Sequence, residues 1–162
     1  MKYNLIAAAV NVSRAYEVAK IGNLKVKLIA CSNPELIITE RDLELLNNFY
    51  GFEPVDDPDI FMEVFISHDD LVSTINPSNR FETIDQVNAR IAAADFMQIK
   101  VDRKLNSICR TLLKTAVQKL QFGLNDVLKI MDITEAIAML SHSTEIFPEH
   151  IAEAIHYRSI KL

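Results

Sequence analysis

The spacing of apolar residues changes partway along this chain. In residues 7–31, Val10 and Val12 alternate with Asn11 and Ser13, and a period of two predicts a half-buried strand. Gly22-Asn23 is a turn signal. Leu24, Val26 and Leu28 then alternate with Lys25 and Lys27, and Ile29-Ala30-Cys31 extends the run as a buried strand. Asn33-Pro34 ends it, because proline offers no ladder donor. Thr39 opens a helix whose stripe is Leu43, Leu46 and Phe49, closing at Gly51. Glu53–Asp59 is an acidic, proline-containing loop, and Ile60–Ile66 is apolar enough for a second buried strand.

Asn76-Pro77-Ser78-Asn79 reads as a linker, so the pattern divides the chain into residues 1–76 and 77–162. Beyond it the apolar spacing is helical. Thr83 and Gln86 match a capping box ahead of Ile84, Val87, Ile91 and Ala94. A helix from about Val101 to Gln121 is expected to turn Leu105, Ile108, Leu112, Ala116 and Leu120 inward, with Gly123 breaking it. Asn125 or Asp126 caps the next, where Val127, Ile130, Ile133, Ile137 and Leu140 face the core. The last helix falls within Ile146–Arg158. Ser143 or Thr144 is the expected cap, Pro148 fits the first turn, Glu149 complements the helix dipole, and Ile151, Ala154 and Ile155 form the apolar stripe. The fold class is α+β, with four helices in the second half.

Composition narrows the classes. The chain has 162 residues, 49% of them hydrophobic, enough for a real core. A net charge of −5 provides no global attraction for nucleic acid. Cys31 and Cys109 are far apart and lack metal-ligand spacing, so they read as buried thiols of a cytoplasmic protein. The short apolar run Leu5–Val10 has no small-residue cleavage pattern after it, and no run is long enough to span a membrane.

Several stretches, in order, resemble the magnesium-chelatase-like AAA+ ATPases, the branch of competence protein ComM (also called YifB). Val10-Asn11-Val12-Ser13-Arg14-Ala15 resembles the first strand of the family's β-hairpin. Lys27–Pro34 resembles its fourth core strand, and Asp59–Val64 the strand that leaves the core. Glu82–Ile91 with Ala94 and Gln98 resembles the first lid helix, and Lys104-Leu105-Asn106 with Ile146–Ile160 resembles the rest of the lid. The resemblance implies a partial AAA+ core (β-hairpin, one or two core strands, a helix) followed by a four-helix lid-like bundle.

It also implies a nucleotide site that this sequence does not spell. No G-x-x-x-x-G-K-[ST] occurs, and Gly22, Gly51 and Gly123 are the only glycines. Asp57 stands where the family's arginine finger would be, and a carboxylate there would repel a γ-phosphate. Asn125-Asp126 occupies the place of the lid's phosphate-sensing arginine. Asn33, matching the asparagine that positions the attacking water, is the one remnant of the nucleotide sensor.

Other chemistry is sparse. His150 and His156 lie six apart on one helix, on opposite sides, and cannot share a metal. His68-Asp69-Asp70 reads as a solvated turn. No nucleophile–base pair is suggested by spacing. One basic cluster, Lys100, Arg103, Lys104, Arg110, Lys114 and Lys119, holds a single acid, Asp102. Arg103, Arg110 and Lys114 are expected on one helix face that could meet nucleic-acid phosphates or an acidic partner. Arg14, Lys20 and Lys25 on the implied hairpin form the other candidate contact, since related hairpins line the channel of a ring.

The expectation is therefore a non-catalytic interaction or scaffold module, with no cofactor and no ATP hydrolysis of its own. Two alternatives differ in class: the split half of an ATPase and DNA motor completed by a separate P-loop subunit, and a DNA-binding accessory protein. A reduced sheet leaves an edge that must be covered, so either a homo-oligomer or docking on a separate ATPase-core protein is expected.

Overall fold

The computed structural model describes residues 5–32, 58–66, 84–96 and 99–159. They form α1 (Leu5–Gly22), β1 (Val26–Ser32), β2 (Ile60–Ile66), α2 (Ile84–Phe96), α3 (Ser107–Leu120), α4 (Leu124–Leu140) and α5 (Pro148–Ser159). The class is α+β, mostly helical with one strand pair. The Thr39–Gly51 helix, Asn33, Asp57, the His68-Asp69-Asp70 turn, the 76–79 linker and the Thr83 half of the capping box lie outside the described residues.

Residues 5–22 are a helix, which corrects the expected strand at Val10–Ser13 and with it the β-hairpin. From Val12 to Ala19 every residue except Arg14 is buried. A helix buried on nearly all sides has no polar face, so its sequence carries no period of 3.6. The alternation over Val10–Ser13 is four residues long and is overridden by tertiary packing. The turn at Gly22-Asn23 is present, as a helix C-cap. Asn23 takes a left-handed φ of 51°, Leu24 N–H donates to Ala19 O at 2.8 Å, and Asn23 N–H donates to Lys20 O at 3.4 Å. This doubly bonded exit is a Schellman motif. Gly22 is needed for approach rather than for φ. A Cβ there would lie 2.7 Å from Leu24 Cδ1 and 3.0 Å from the Ala136 Cβ on α4.

β1 and β2 pair in parallel, from Val26 opposite Ile60 to Ser32 opposite Ile66. Lys25 O, just before β1, accepts from Asp59 N–H at 2.8 Å and Ile60 N–H at 2.9 Å. α1 packs on α4, on β2 and on α2, and α5 packs on α3, α4 and β2. The main core joins Val12, Ala15 and Val18 of α1 to Val26, Ile60, Val87, Ile133, Ile137 and Tyr157. A second cluster, Val101, Cys109, Ala138, Ile146 and Ile151, sits between α3, α4 and α5.

α3 begins later than its apolar pattern predicts. Val101 and Asp102 are extended. Asp102 bridges to Glu145 and donates its N–H to Thr144 O at 2.8 Å. Asn106 is the N-cap, its side chain accepting from Cys109 N–H at 2.9 Å. The buried stripe is Cys109 and Ala116 flanked by half-buried Leu112, Leu113 and Val117, so Ile108 and Leu120, expected inward, face out at 65% and 37% exposure. In α4, Gly123 is the N-cap, and Asp126 reaches back from the third helical position to accept Gly123 N–H at 3.0 Å.

α5 starts at Pro148 as expected, but neither Ser143 nor Thr144 caps it. Ser143 Oγ is engaged with Glu145, and Thr144 O with Asp102. The cap is His150, whose Nδ1 accepts the Phe147 N–H at 3.2 Å. It plays the part that Glu plays in a capping box, and only the neutral ring can accept. Burial holds the His150 pKa below its ordinary 6.5, opposed by the Glu149 and Glu153 charges and assisted by Arg14. Because the folded pKa is the lower one, stability is complete above pH 6.5 and declines as pH falls below it. Urea midpoints measured from pH 7.5 to 5 should fall in the native chain, and His150→Asn should remove part of that slope. An unchanged slope in the variant would refute this role.

Candidate functional site

The charged residues of α1 create the first polar junction. Arg14 and Glu17 lie three apart in the buried run Val12–Ala19 of α1, and Glu17 is 4% exposed. Neither charge can remain unmatched there. Arg14 Nε donates to Glu153 Oε1 of α5 at 3.0 Å, its Nη2 to Oε2 at 3.4 Å, and its Nη1 lies 3.5 Å from Glu17 Oε2. Arg90 of α2 completes the Glu17 carboxylate, with Nε donating to Oε1 at 2.6 Å. Tyr157 O–H donates to Glu153 Oε1 at 3.2 Å, and Tyr16 O–H to Asn88 Oδ1 at 3.3 Å. Burial, then the Glu153 carboxylate, push the Tyr157 phenol well above its ordinary value of 10. Burial works against the Arg14 charge, but the hydrogen bond and charge of Glu153 outweigh it and raise its pKa. Arg14 is thus held charged and Tyr157 neutral by their surroundings in the junction.

The second junction ties α4 and α5 to the start of β2. Arg158 Nη1 donates to Pro58 O at 2.9 Å and Asp59 O at 3.2 Å, its Nη2 pairs with Asp126, and its guanidinium lies over the Phe61 ring at 5.1 Å. Its Nε is buried without a partner. Lys129 Nζ sits 3.2 Å from Asp59 Oδ1 and donates to Pro58 O at 3.3 Å, while Asp59 Oδ2 accepts Lys25 N–H at 2.8 Å. Asp126 thus serves both the α4 cap and the Arg158 fork. The place where the resemblance expects a phosphate-sensing arginine holds a carboxylate already spent inside the chain.

The expected contact residues are not gathered. Arg14 is inside the first junction. Lys20 is in the last turn of α1 with Nζ 5.3 Å from the Tyr16 ring, and Lys25 is exposed between α1 and β1. Arg103 precedes α3 and binds α4, 2.6 Å from Asp132 Oδ1 and 3.5 Å from Glu135 Oε2. It therefore does not share a helix face with Arg110 and Lys114, because α3 starts at Ser107. Those two are exposed neighbours on α3, with Arg110 Nε donating to Leu105 O at 2.9 Å. Beside them runs a shallow groove of about 470 Å³ lined by Ser107, Ile108, Thr111, Leu112 and Thr115.

Sequence reasoning missed Glu17, Arg90, Glu153 and Arg158. One signal was present: Glu17 is a lone acid within Ala15-Tyr16-Glu17-Val18-Ala19. Cys109 is a buried thiol as expected, its Sγ 3.5 Å from Ile146 O, and burial pushes its pKa above the ordinary 9.0. His150 is buried and His156 exposed, so they do face apart. Among the described residues there is no group of three His, Cys, Asp or Glu that could hold a metal, and no helix long and apolar enough to cross a membrane.

The chain matches the family model described as Magnesium chelatase, subunit ChlI C-terminal, over residues 76–158, just over half its length. No curated protein matches it, and no solved structure does.

Arg158 serves three acceptors and an aromatic face with one planar fork, a geometry lysine cannot reproduce. Arg158→Ala should cost about 3 kcal/mol of unfolding free energy, because Asp126 and two carbonyls lose their donor. Arg158→Lys should recover less than half of that. Urea denaturation gives both values, and a loss under about 1 kcal/mol in each would show the junction to be incidental.

Proposed function

Since the chain belongs to the magnesium chelatase subunit ChlI C-terminal family, we propose that it is a non-catalytic interaction or scaffold module. It resembles the C-terminal part of a ComM-branch AAA+ ATPase, a lid-like bundle on a remnant of the core. The observation that carries this reading is the commitment of its arginines. Among the described residues, Arg14, Arg90, Arg103 and Arg158 each donate to an acceptor on another element of the same chain. Phosphoryl transfer needs cationic forks free to meet charge that develops in the transition state. Here they hold helices to each other and to β2. These residues also contain no glycine-rich lysine loop to cradle phosphates.

The strand pair supports an associating role. Among the described residues β1 and β2 are bonded only to each other, which leaves an outer edge on each side, and such edges call for a cover. A second copy or a separate ATPase-core protein would supply it, as the resemblance implies. The polar junctions make the bundle a rigid body to present to that partner.

The purified chain should hydrolyse no ATP in the presence of magnesium above a buffer control, and millimolar magnesium-ATP should leave its Tm unchanged. Magnesium-dependent hydrolysis that co-purifies with the chain would overturn the non-catalytic reading.

A further inference from the structure

We infer that the outward face of α3 is a docking groove for an acidic amphipathic segment of a partner protein. This rests on the reading of the chain as an interaction module and names the chemistry of what it binds. α3 contains no acidic residue. Its groove is lined by half-buried Leu112 and by Ile108, which is 65% exposed, with Thr111 and Thr115 beside them. An isoleucine held that far into water on a well-capped helix gains nothing for the fold. It is the kind of apolar anchor that a partner helix covers.

Charge fixes the sign of the partner. Arg110 and Lys114 lie three and seven residues from Ser107, one helical edge away from the groove. Lys119 follows Thr115 by four and closes the far end. Among the described residues Lys114 and Lys119 have no ion pair, and the Arg110 guanidinium is bonded only through Nε to Leu105 O. The cations elsewhere that bind the fold together, Arg14, Arg90, Arg103, Lys129 and Arg158, are all paired. The groove is thus an apolar strip with unneutralised positive edges, the complement of a helix with leucine-type anchors between glutamates.

Two other occupants fit less well. A nucleic acid would find phosphate partners but no aromatic ring lining the groove to stack a base, and Ile108 would face a polyanion. A second copy docked symmetrically would set the same cations against each other.

The test uses two fluorescent 18-residue helical peptides with leucines at spacings of three and four, one flanked by glutamates and one by lysines, and a single-stranded oligonucleotide of equal negative charge. Anisotropy should show the glutamate peptide binding, the lysine peptide not binding, and affinity falling as salt rises. Ile108→Asp should weaken binding about tenfold, and Arg110→Glu with Lys114→Glu at least about fivefold. All three positions are exposed, and circular dichroism confirms folding. No binding of the glutamate peptide, binding indifferent to these variants, preference for the oligonucleotide, or a concentration-dependent dimer that Ile108→Asp abolishes would each overturn the proposal. ATP hydrolysis by the same preparation is read separately. Its absence with a failed peptide assay removes the partner chemistry alone, and its presence removes the module reading itself.

Discussion

A helix segment buried on nearly every side cannot carry a charge unless its neighbours neutralise it, and the Val12–Ala19 run of α1 carries two. Arg14 and Glu17 sit within a run whose other members, from Val12 to Ala19, are all buried. An unpaired buried carboxylate costs several kcal/mol. The positions of α2 and α5 are therefore constrained beyond apolar contact, since Arg90 must reach Glu17 and Glu153 must reach Arg14. Apolar packing tolerates small slides, whereas a forked hydrogen bond does not. The pairs set the register in which Val87, Ala154 and Tyr157 meet α1 in the core.

The second junction extends that logic to the sheet. β1 and β2 alone are a two-stranded element, too small to be stable without support. Ile60 at the start of β2 is fully buried in the main core. Just before it the chain must expose the carbonyls of Pro58 and Asp59 to something, and Arg158 and Lys129 supply the donors. Asp59 answers on both sides, accepting from Lys25 N–H ahead of β1 and pairing with Lys129 of α4. One residue thus joins the two strand entrances to the helical part. The guanidinium meets these acceptors through its two terminal nitrogens, and its Nε is buried without a partner.

What the sequence revealed follows from which forces act locally. α4 was legible because Ile130, Ile133 and Ile137 lie at spacings of three and four on one buried face, β1 because Val26 and Leu28 alternate with Lys27 ahead of Ile29-Ala30-Cys31, and β2 because its seven residues are apolar at every position but Glu63. Pro148 announced α5 by its fixed φ. α1 was not legible because burial of nearly the whole run Val12–Ala19 erases the amphipathic period there, leaving a four-residue alternation to suggest a strand. The start of α3 was misplaced because Val101 and Leu105 are apolar at helical spacing, yet Asp102 is held by Thr144, a contact only the fold creates. The junctions were invisible for the same reason: Arg14 and Glu153 are 139 residues apart, and Arg158 and Pro58 are 100 apart. Arg103, Arg110 and Lys114 do not share the single helix face their spacing suggested, since the cap at Asn106 puts Arg103 outside the helix.

That last distinction separates the cations by role. A charge used for folding is paired, because burial or half-burial makes any other state costly. A charge used for association stays hydrated and unpaired until its partner arrives, and its main effects are on encounter and orientation. Arg103 looks in sequence like Lys114, but its bonds to Asp132 and Glu135 place it in the first class. Arg110 and Lys114, beside an isoleucine that the core leaves in water, fall in the second. With Arg14, Arg90, Arg103 and Arg158 spent internally, the exposed residues of α3 are what the inferred partner would meet.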